Sequence, residues 1–309
     1  DLPEVVIGYQ SIPNGELVAK QLGWHEETLG ARVRWVQFNS GSELNTAIAS
    51  GSVDIGLGGS STTVVAAARG VPARVIWIHD IIGENEALVV REGGDVGSVA
   101  ELAGKTVAAP FGATTHYHLL MALKLAGVDP GSLRILDMPP TEMLAAWIRG
   151  DIDAGFVWEP TLAAMLENGG RVLISSGSLA RQGYLTGDIG IARNGFAEQY
   201  PEIVRRYVRN QMRAVELIRS RPEEAARAIA AELSLEPAEA LRQMNSLVFL
   251  DGKEQLSSDY LGESGAPGGL VDIFLETARF LAEQDTIGEV PERQVFIDFL
   301  APEFLEQEL

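Results

Sequence analysis

Short apolar strand patterns alternate with amphipathic helix patterns through residues 4–80, and the same alternation begins again at residue 86. Strands that are separated by helices predict parallel sheets whose connections cross over one face of the sheet. A series that starts twice in a chain of 309 residues predicts two lobes, because a single core of this size usually divides. The sequence therefore predicts an α/β protein with two similar halves.

The two series account for the first two thirds of the chain, and helices dominate the remainder. Strand patterns cover 4–10, 31–38, 53–58, 73–80, 86–90, 105–110, 133–138, 152–158, 171–176 and 188–193. Helix patterns cover 15–30, 41–51, 60–70, 114–126, 141–150, 197–220, 222–233, 237–249 and 269–284. We expect the helices that follow residue 195 to cover the first lobe.

An internal echo supports the division into two similar lobes. "LNTAIASGSVDIG" (44–56) and "LAAWIRGDIDAG" (144–155) both read as a helix, a glycine stop, a small turn and a strand with a central aspartate. Chance is the alternative, since junctions of a helix, a glycine and a strand are common. Each segment nevertheless occupies the same place in its own series.

Charge and composition exclude several classes of protein. Lys and Arg number 24 and Asp and Glu number 43, so the formal net charge is −19. Such acidity argues against nucleic acid and anionic membranes as partners, although solubility alone would also explain it. Because there is no cysteine, the chain has no disulfide, no thiolate nucleophile and no cysteine metal ligand. No apolar run is long enough to cross a membrane.

Two predicted helices open with hydroxyl side chains directly after a turn that contains glycine. These residues are Ser60 and Ser61 in "GLGGSSTTVV" and Thr114, Thr115 and His116 in "PFGATTHYHLL". A helix N-terminus carries free N–H groups and partial positive charge, so hydroxyls placed there hold an anion without Lys or Arg. Simple helix capping is the alternative for either site alone. Two such termini at the carboxyl ends of strands, one in each lobe, predict a shared anion site.

Carboxylates stand where the chain is expected to pass between the lobes. Glu86 follows Asn85 at the start of the second series, and Asp188 stands where the chain returns. Together they predict a site for an ammonium group, with solvated surface charge as the alternative. Trp147 and Trp158 are aromatic candidates for the wall of the same site, with core packing as their alternative.

Catalysis, metal binding and cofactor binding have little support in the sequence. His116 and His118 are two residues apart, whereas ligands on one helix need a spacing of three or four. The segment "GLGGSS" lacks the third glycine of a dinucleotide fingerprint. None of the four lysines stands on a predicted binding loop. We therefore expect no catalytic residues, no metal and no cofactor.

The motifs "GLGGSSTTVVAAARGVP", "NEALVV", "LAGKTVAAPFGATTHYHLLMALKLAG" and "AAWIRGDIDAGFVWEP" resemble the taurine-binding periplasmic components of ABC importers. The likeness extends over nearly the whole chain, including "GFAEQYPEIV". It implies a two-lobed type II periplasmic binding protein fold with two hinge crossovers. We expect residues 1–85 and 190–309 to form lobe I and residues 86–189 to form lobe II.

The resemblance also implies what the protein binds and where. It implies a sulfonate held by the segments Ser60–Ser61 and Thr114–Thr115–His116, an ammonium near Glu86 and Asp188, and Trp147 and Trp158 beside the ligand. Gln10, at the end of the first strand pattern, completes the candidate set. It implies a small-molecule ligand such as taurine, a permease as partner, and a monomer in the periplasm whose signal peptide has been removed.

Two positions depart from the family pattern as we expect it, and other functions remain open. Gly190 stands where a bulkier residue is expected, and Asn39 stands where Asp is expected. Both departures predict a roomier pocket for a longer or N-substituted aminosulfonate. Another small sulfonate, nitrate or a nitrile-derived ligand is an alternative, as are a chemoreceptor partner and an enzyme built on the same scaffold.

Overall fold

The computed structural model describes residues 2–309, which form two five-stranded sheets, a short hairpin and sixteen α-helices. The strands are β1 (Glu4–Tyr9), β2 (Arg32–Gln37), β3 (Ile55–Gly59), β4 (Ala73–Ile81), β5 (Glu86–Arg91), β6 (Thr106–Ala109), β7 (Arg134–Asp137), β8 (Ala154–Trp158), β9 (Gly170–Ser175), β10 (Gly187–Arg193), β11 (Gly262–Glu263) and β12 (Ala266–Pro267).

Most helices lie where the sequence patterns predict them. They are α1 (Gly15–Gln21), α2 (Trp24–Thr28), α3 (Gly41–Ala49), α4 (Ser60–Ala68), α5 (Thr114–Leu125), α6 (Pro140–Arg149), α7 (Thr161–Glu167), α8 (Ser176–Arg181), α9 (Asn194–Gln199), α10 (Pro201–Ser220), α11 (Pro222–Leu233), α12 (Pro237–Met244), α13 (Gly252–Gln255), α14 (Leu270–Glu283), α15 (Arg293–Asp298) and α16 (Glu303–Glu306). Within the described residues, no helix is both long and apolar enough to cross a bilayer.

The two large sheets share one topology. The first has the order β2-β1-β3-β10-β4 and the second the order β7-β6-β8-β5-β9. In each sheet the first parallel strand, β1 or β6, lies between the second and the third, and one antiparallel strand, β10 or β5, follows the third. The halves related by the sequence echo therefore have the same strand order.

The echo aspartates tie the third strand of each lobe to the first. Asp54 Oδ2 accepts a hydrogen bond from the Val6 N–H at 2.9 Å, and Asp153 Oδ2 accepts one from the Thr106 N–H at 2.8 Å. Their backbone N–H groups donate to the Val6 and Thr106 carbonyls. A carboxylate in this place satisfies backbone groups beyond the paired part of each strand, which explains why the aspartate recurs.

Two short crossovers connect the sheets, at residues 82–85 and 182–186. The chain leaves β4 at the hinge and enters β5 there. The parallel strands of the second sheet end at this edge, so β5, which begins at it, runs antiparallel to them. The same reasoning applies to β10, so the sheets are mixed and not wholly parallel as predicted. β10 begins at Gly187, and its first three residues, 187–189, therefore lie in the first sheet although we assigned them to lobe II.

Each lobe has its own core, and the C-terminal helices extend that of the first lobe. One cluster joins β1, β3, β4 and α4 to α10, α11 and α14, whereas two smaller clusters lie on the two faces of the second sheet. The helix predicted for 15–30 is divided, since Gly23 adopts φ +70° between α1 and α2. That backbone conformation suits glycine and ends the first helix.

Candidate ligand-binding cleft

The parallel strands of both sheets end at a cavity between the lobes. It is lined by Gln10, Ile12, Gly41, Gly59, Thr62, Asn85, Glu86, Ala113, Thr114, Trp158 and Asp188. Among these described lining residues there is no lysine or arginine. The cavity measures about 20 Å³, which is room for about one water molecule. An organic ligand must therefore enter while the lobes stand further apart.

Contacts across the cleft hold the lobes in this closed arrangement. Gly59 of the first lobe packs closely against Thr114 of the second, since a Cβ built on this glycine would lie only 2.8 Å from Thr114 Cγ2. On one side of the cleft, Arg242 of α12 donates to Glu159 at 2.8 Å. On the other side, the rings of Tyr117 and Phe280 meet edge to face with their centroids 5.2 Å apart.

One end of the cleft is formed by the N-termini of α4 and α5. Their N-cap residues, Gly59 and Ala113, provide no side-chain cap. The hydroxyls of Ser61 and Thr115 are buried and have no hydrogen-bond partner within the described residues. Free helical N–H groups and unpaired hydroxyls at two facing N-termini are suited to an anion.

The other end of the cleft is formed by buried carboxyl groups. Asp188 of β10 lies opposite Asp80 of β4 across the strand pair, and Glu86 begins β5 at the same edge. These side chains are 4%, 0% and 3% exposed. Asp80 Oδ2 accepts from Asn14 Nδ2 at 2.8 Å, whereas Asp80 Oδ1 has no partner within residues 2–309.

A shift in register explains how Asp80 reaches this end of the cleft. Asp188 pairs with Asp80 and the next residue, Ile189, pairs with Ile78, so His79 has no opposite residue. Such a bulge changes the direction of neighbouring side chains. Asp80 therefore turns to Asn14 at the start of α1 while it also faces Asp188.

Burial without a neighbouring cation raises the pKa of all three carboxyl groups. Desolvation, partly offset by hydrogen bonds, raises the pKa of Asp80 to about 7. Desolvation and the adjacent Asp188 raise the pKa of Glu86 to about 8. Desolvation and Asp80 raise the pKa of Asp188 well above its usual range. The site therefore lacks positive charge at this end and favours a ligand that supplies it.

Glu86 is held by neutral partners from two helices of the second lobe. Thr114 Oγ1 donates to Glu86 Oε1 at 2.6 Å, and Ser176 Oγ lies 3.0 Å from Glu86 Oε2. Behind Ser176, its Oγ lies 2.7 Å from His118 Nδ1, and His118 Nε2 lies 2.8 Å from the Tyr184 carbonyl oxygen. Sequence patterns gave no signal for Ser176 or Asp80, because both fall within segments that read as ordinary strands.

The ten candidate residues divide into three groups in the structure. Five of them line the cavity, namely Gln10, Glu86, Thr114, Trp158 and Asp188. Four others lie in the first turns of the two helices beside it, namely Ser60, Ser61, Thr115 and His116. The structure does not bring Trp147 to the cavity. Gly41, Thr62 and Asn85 also line it; Thr62 follows Ser61 and Asn85 precedes Glu86, whereas Gly41 stood beside no residue that the sequence singled out.

Trp147 lies in the core of the second lobe, which corrects its assignment to the ligand wall. Its side chain is fully buried among α6 and α7, and its Nε1 donates to the Asn168 carbonyl oxygen at 3.1 Å. The Arg91 guanidinium stacks over the indole at 3.4 Å. Trp147 is therefore a core residue, which is the alternative that the sequence analysis stated for it.

His116 supports its own loop instead of reaching into the cavity. Its Nδ1 accepts from the Gly112 N–H at 3.1 Å, and its ring stacks on Phe111 with the centroids 4.5 Å apart. Burial lowers the pKa of His116 to about 4, so the ring is neutral at pH 7. It therefore orders the turn that leads into α5.

The two departures from the family pattern do not enlarge the cavity. A Cβ at Gly190 would lie 3.0 Å from His79 Nε2, so a histidine occupies the space beside this glycine. Asn39 is exposed, and its backbone N–H donates to Glu43 at 3.2 Å. The prediction that these two positions make the pocket roomier is therefore wrong.

Groups needed for metal or Schiff-base chemistry are not assembled in the described part of the chain. No three His, Asp or Glu side chains converge there in an arrangement that would hold a metal ion. Three of the lysines form surface ion pairs, Lys20 with Glu232, Lys105 with Asp95 and Lys124 with Glu283. Lys253 lies within α13, on the surface of the first lobe.

Two lobes of the same strand order, joined by two crossovers and closed over a cavity at the strand ends, define the periplasmic binding protein fold. The alkanesulfonate-binding protein of Xanthomonas axonopodis pv. citri, solved with bound MOPS, superposes with a TM-score of 0.79 at 22% identity, over 96% of this chain and 98% of that one. Residues 13–225 match the model of the NMT1/THI5 like family. The chain belongs to this family.

Curated relatives within this fold are binding proteins. The taurine-binding periplasmic protein of Escherichia coli is 40% identical over 210 residues, which is 68% of this chain and 65% of the relative. The chain thus matches just under two thirds of that protein's length. A second Escherichia coli protein, named for binding aliphatic sulfonates, is 28% identical over 75% of this chain and 73% of its own length.

An enzyme also shares the fold. The desulfurization enzyme DSZB superposes with a TM-score of 0.69 at 15% identity, over 99% of this chain and 98% of the enzyme. Identity at this level shows a common fold alone, so it carries no chemistry to this chain.

Proposed function

We propose that this protein captures an aminosulfonate, with taurine as the best match, between its lobes in the periplasm and delivers it as a monomer to the permease of an ABC importer. The observation that carries the proposal is the combination of two kinds of group at one closed cleft. Neutral donors lie in the first turns of α4 and α5 beside the cavity, and buried carboxyl groups without a cation lie against it, with Thr114 donating to Glu86 where the two sets meet.

The anion end suits a sulfonate because all of its candidate groups are able to donate. The free hydroxyls are those of Ser61 and Thr115, and the helix N-termini add backbone N–H groups. A sulfonate stays ionised and only accepts hydrogen bonds. Helix dipoles stabilise such an anion without a mobile cation that would compete for the ligand.

The carboxyl end suits an ammonium because a bound cation would relieve the repulsion among Asp80, Glu86 and Asp188. Taurine carries a sulfonate and an ammonium two carbons apart. Two relatives bear names of taurine and aliphatic sulfonate binders, which agrees with the anion end. The ammonium end favours taurine over a plain alkanesulfonate.

Calorimetric titration with taurine and ethanesulfonate tests the proposal on protein that has been unfolded and refolded to remove carried-over ligand. We expect taurine to bind at least tenfold more tightly. Replacement Asp188→Asn should weaken taurine by about 2–5 kcal/mol, as expected for loss of one partner of a buried charge pair, and should leave ethanesulfonate nearly unchanged.

The matched control is Glu84→Gln, which removes an exposed carboxylate at the same hinge that pairs with Arg181 at 3.0 Å. This substitution should change the affinity for neither taurine nor ethanesulfonate. Equal loss of taurine and ethanesulfonate in the Asp188 variant would refute the ammonium role, and failure of both ligands to bind the native protein would refute the sulfonate assignment.

A binder of plain aliphatic sulfonates is the second candidate, and the relative named for such ligands favours it. Ethanesulfonate that binds as tightly as taurine would select this candidate. An enzyme that needs a lysine for a pyridoxal cofactor is disfavoured, because none of the lysines lines the cavity.

A further inference from the structure

Glu86 belongs to a chain of hydrogen bonds that runs from the cavity into the second lobe. The chain passes from Glu86 Oε2 to Ser176 Oγ at 3.0 Å, on to His118 Nδ1 at 2.7 Å, and from His118 Nε2 to the Tyr184 carbonyl oxygen at 2.8 Å. Ser176 and His118 are both fully buried. Every hydrogen in such a chain must therefore come from one of its members.

The carbonyl at the far end fixes the direction of the whole chain. A carbonyl oxygen only accepts, so His118 Nε2 must carry the hydrogen that lies between it and Tyr184. A neutral imidazole then has an unprotonated Nδ1, which accepts from the Ser176 hydroxyl. Because serine has one hydrogen, none is left for Glu86, and the contact between Ser176 Oγ and Glu86 Oε2 requires a hydrogen from the carboxyl group.

The surroundings of both titratable ends agree with this count. Glu86 faces Asp188 from β10 and Asp80 from β4, two acids that disfavour a carboxylate. Thr114 and Ser176 are its neutral partners. His118 is surrounded by the rings of Tyr117 and Phe156 and by the Tyr184 carbonyl. Burial lowers the pKa of His118 to about 4, which leaves the ring neutral at pH 7.

We infer that Ser176 and His118 hold Glu86 in its protonated, hydrogen-bond-donating form in the free protein, and that capture of an aminosulfonate releases this proton. The inference rests on the proposed function, which supplies the ammonium. On binding, the Glu86 O–H bond breaks, the proton passes to solvent, and the carboxylate pairs with the ligand ammonium. His118 is a positioning residue, because it acts on the ligand only through Ser176 and Glu86.

Specificity for the ammonium follows from this arrangement. A ligand without an ammonium leaves Glu86 neutral and meets no buried charge. A ligand with an ammonium ionises Glu86 and gains a charge pair that exists only in the complex. The taurine affinity should therefore rise with pH, by up to tenfold per unit below the pKa of Glu86, and the ethanesulfonate affinity should not.

The first test is made on the free native protein. Nuclear magnetic resonance of histidine-labelled protein at pH 7 should show His118 neutral with its proton on Nε2, and the signal is assigned by its absence from His118→Leu. A proton on Nδ1, or on both nitrogens, would overturn the inference. This measurement needs no ligand, so it stands even where the proposed function fails.

The second test is calorimetry of taurine and ethanesulfonate in two buffers of different protonation enthalpy. Taurine should release at least one proton more than ethanesulfonate, since Asp80 and Asp188 beside Glu86 also have raised pKa values, and equal release would overturn the inference. In His118→Leu the Ser176 hydroxyl becomes free to donate to Glu86. The taurine pH profile should then move to lower pH by about one unit, whereas a purely structural role would lower affinity equally at every pH.

Discussion

Single side chains in this cleft are arranged so that hydroxyls without partners stand at one end and carboxyl groups without cations stand at the other. Each arrangement costs stability in the free protein, since a buried polar atom without a partner has lost its hydration. Thr115 is fully buried and its Oγ1 has no partner within the described residues. Its hydroxyl, like that of Ser61, should therefore gain a partner when an anion arrives.

Thr115→Val tests this hydroxyl with a side chain of the same shape. We expect taurine and ethanesulfonate to weaken together, by about 1.5–3 kcal/mol each, as for a lost hydrogen bond to a charged group. The melting temperature of the free protein should stay the same or rise, because valine removes an unsatisfied buried oxygen. Calorimetry and thermal unfolding measure the two effects.

Thr46→Val is the control for the threonine substitution, since Thr46 is exposed on α3 and its Oγ1 donates to the Ser42 carbonyl within its own helix at 3.2 Å. Ligand affinity should not change in this variant. Unaltered ethanesulfonate binding in Thr115→Val would show that the anion lies elsewhere.

Residue types in context predicted part of the candidate site. Hydroxyls at two helix starts and carboxylates at two crossovers led to Thr114, Glu86 and Asp188, which line the cavity. Asp80 was not, because its place depends on a register shift between β4 and β10 that one strand does not reveal. Trp147 was misassigned, because a tryptophan on an amphipathic helix reads the same beside a ligand as in a core.

Helices α4 and α5 face each other across the cleft, and a glycine sets how closely they approach. Gly59 has φ −65°, which alanine adopts without strain. A Cβ there would nevertheless lie 2.8 Å from Thr114 Cγ2 in the closed form. Rotation of Thr114 to relieve the contact would break its 2.6 Å hydrogen bond to Glu86.

Gly59→Ala should therefore oppose closure and leave each lobe intact. We expect affinity for taurine and ethanesulfonate to fall by about 1–3 kcal/mol, the usual cost of overpacking, with little change in thermal stability without ligand. Small-angle scattering with saturating taurine should show a larger radius of gyration than for the native complex. Gly288→Ala, where nothing lies within 4 Å of the added carbon, is the control, and native-like affinity in Gly59→Ala would contradict this role.

Element order was predictable, but strand direction was less so. Apolar periodicity located nearly all of the strands, because the buried strands of the two sheets are continuous apolar runs. It did not reveal that β5 and β10 run antiparallel, since direction depends on where the chain crosses between lobes. The short helices α7 and α8 were missed, because helices of seven and six residues hold little periodic signal.

At the scale of the whole molecule, the buried carboxyl groups link stability to pH. Glu86, Asp80 and Asp188 have raised pKa values in the folded state, so between their unfolded and folded pKa values the folded protein binds more protons. Stability contributed by these groups must therefore fall as the pH rises through that range. Burial lowers the pKa of His79 and His118 to about 4, which acts in the opposite direction and only below about pH 6.5.

Chemical unfolding of the ligand-free protein should accordingly show a stability that declines as the pH rises from about 6.5 through the raised pKa values of Asp80 and Glu86, about 7 and about 8. The combined variant Glu86→Gln with Asp188→Asn should remove most of this decline, because amides do not titrate. Saturating taurine should also reduce it in the native protein, since the ammonium stabilises the carboxylates. A flat profile over this range would contradict the raised pKa values.

The position of β10 between β3 and β4 has a consequence for synthesis of the chain. The first sheet is incomplete until residue 193 has left the ribosome, whereas every strand of the second sheet lies between residues 86 and 175. During synthesis of the second lobe, β3 and β4 therefore lack β10, the strand that lies between them in the finished sheet. The second lobe is an insertion that is able to fold first, which reverses the usual order of domain folding along a nascent chain.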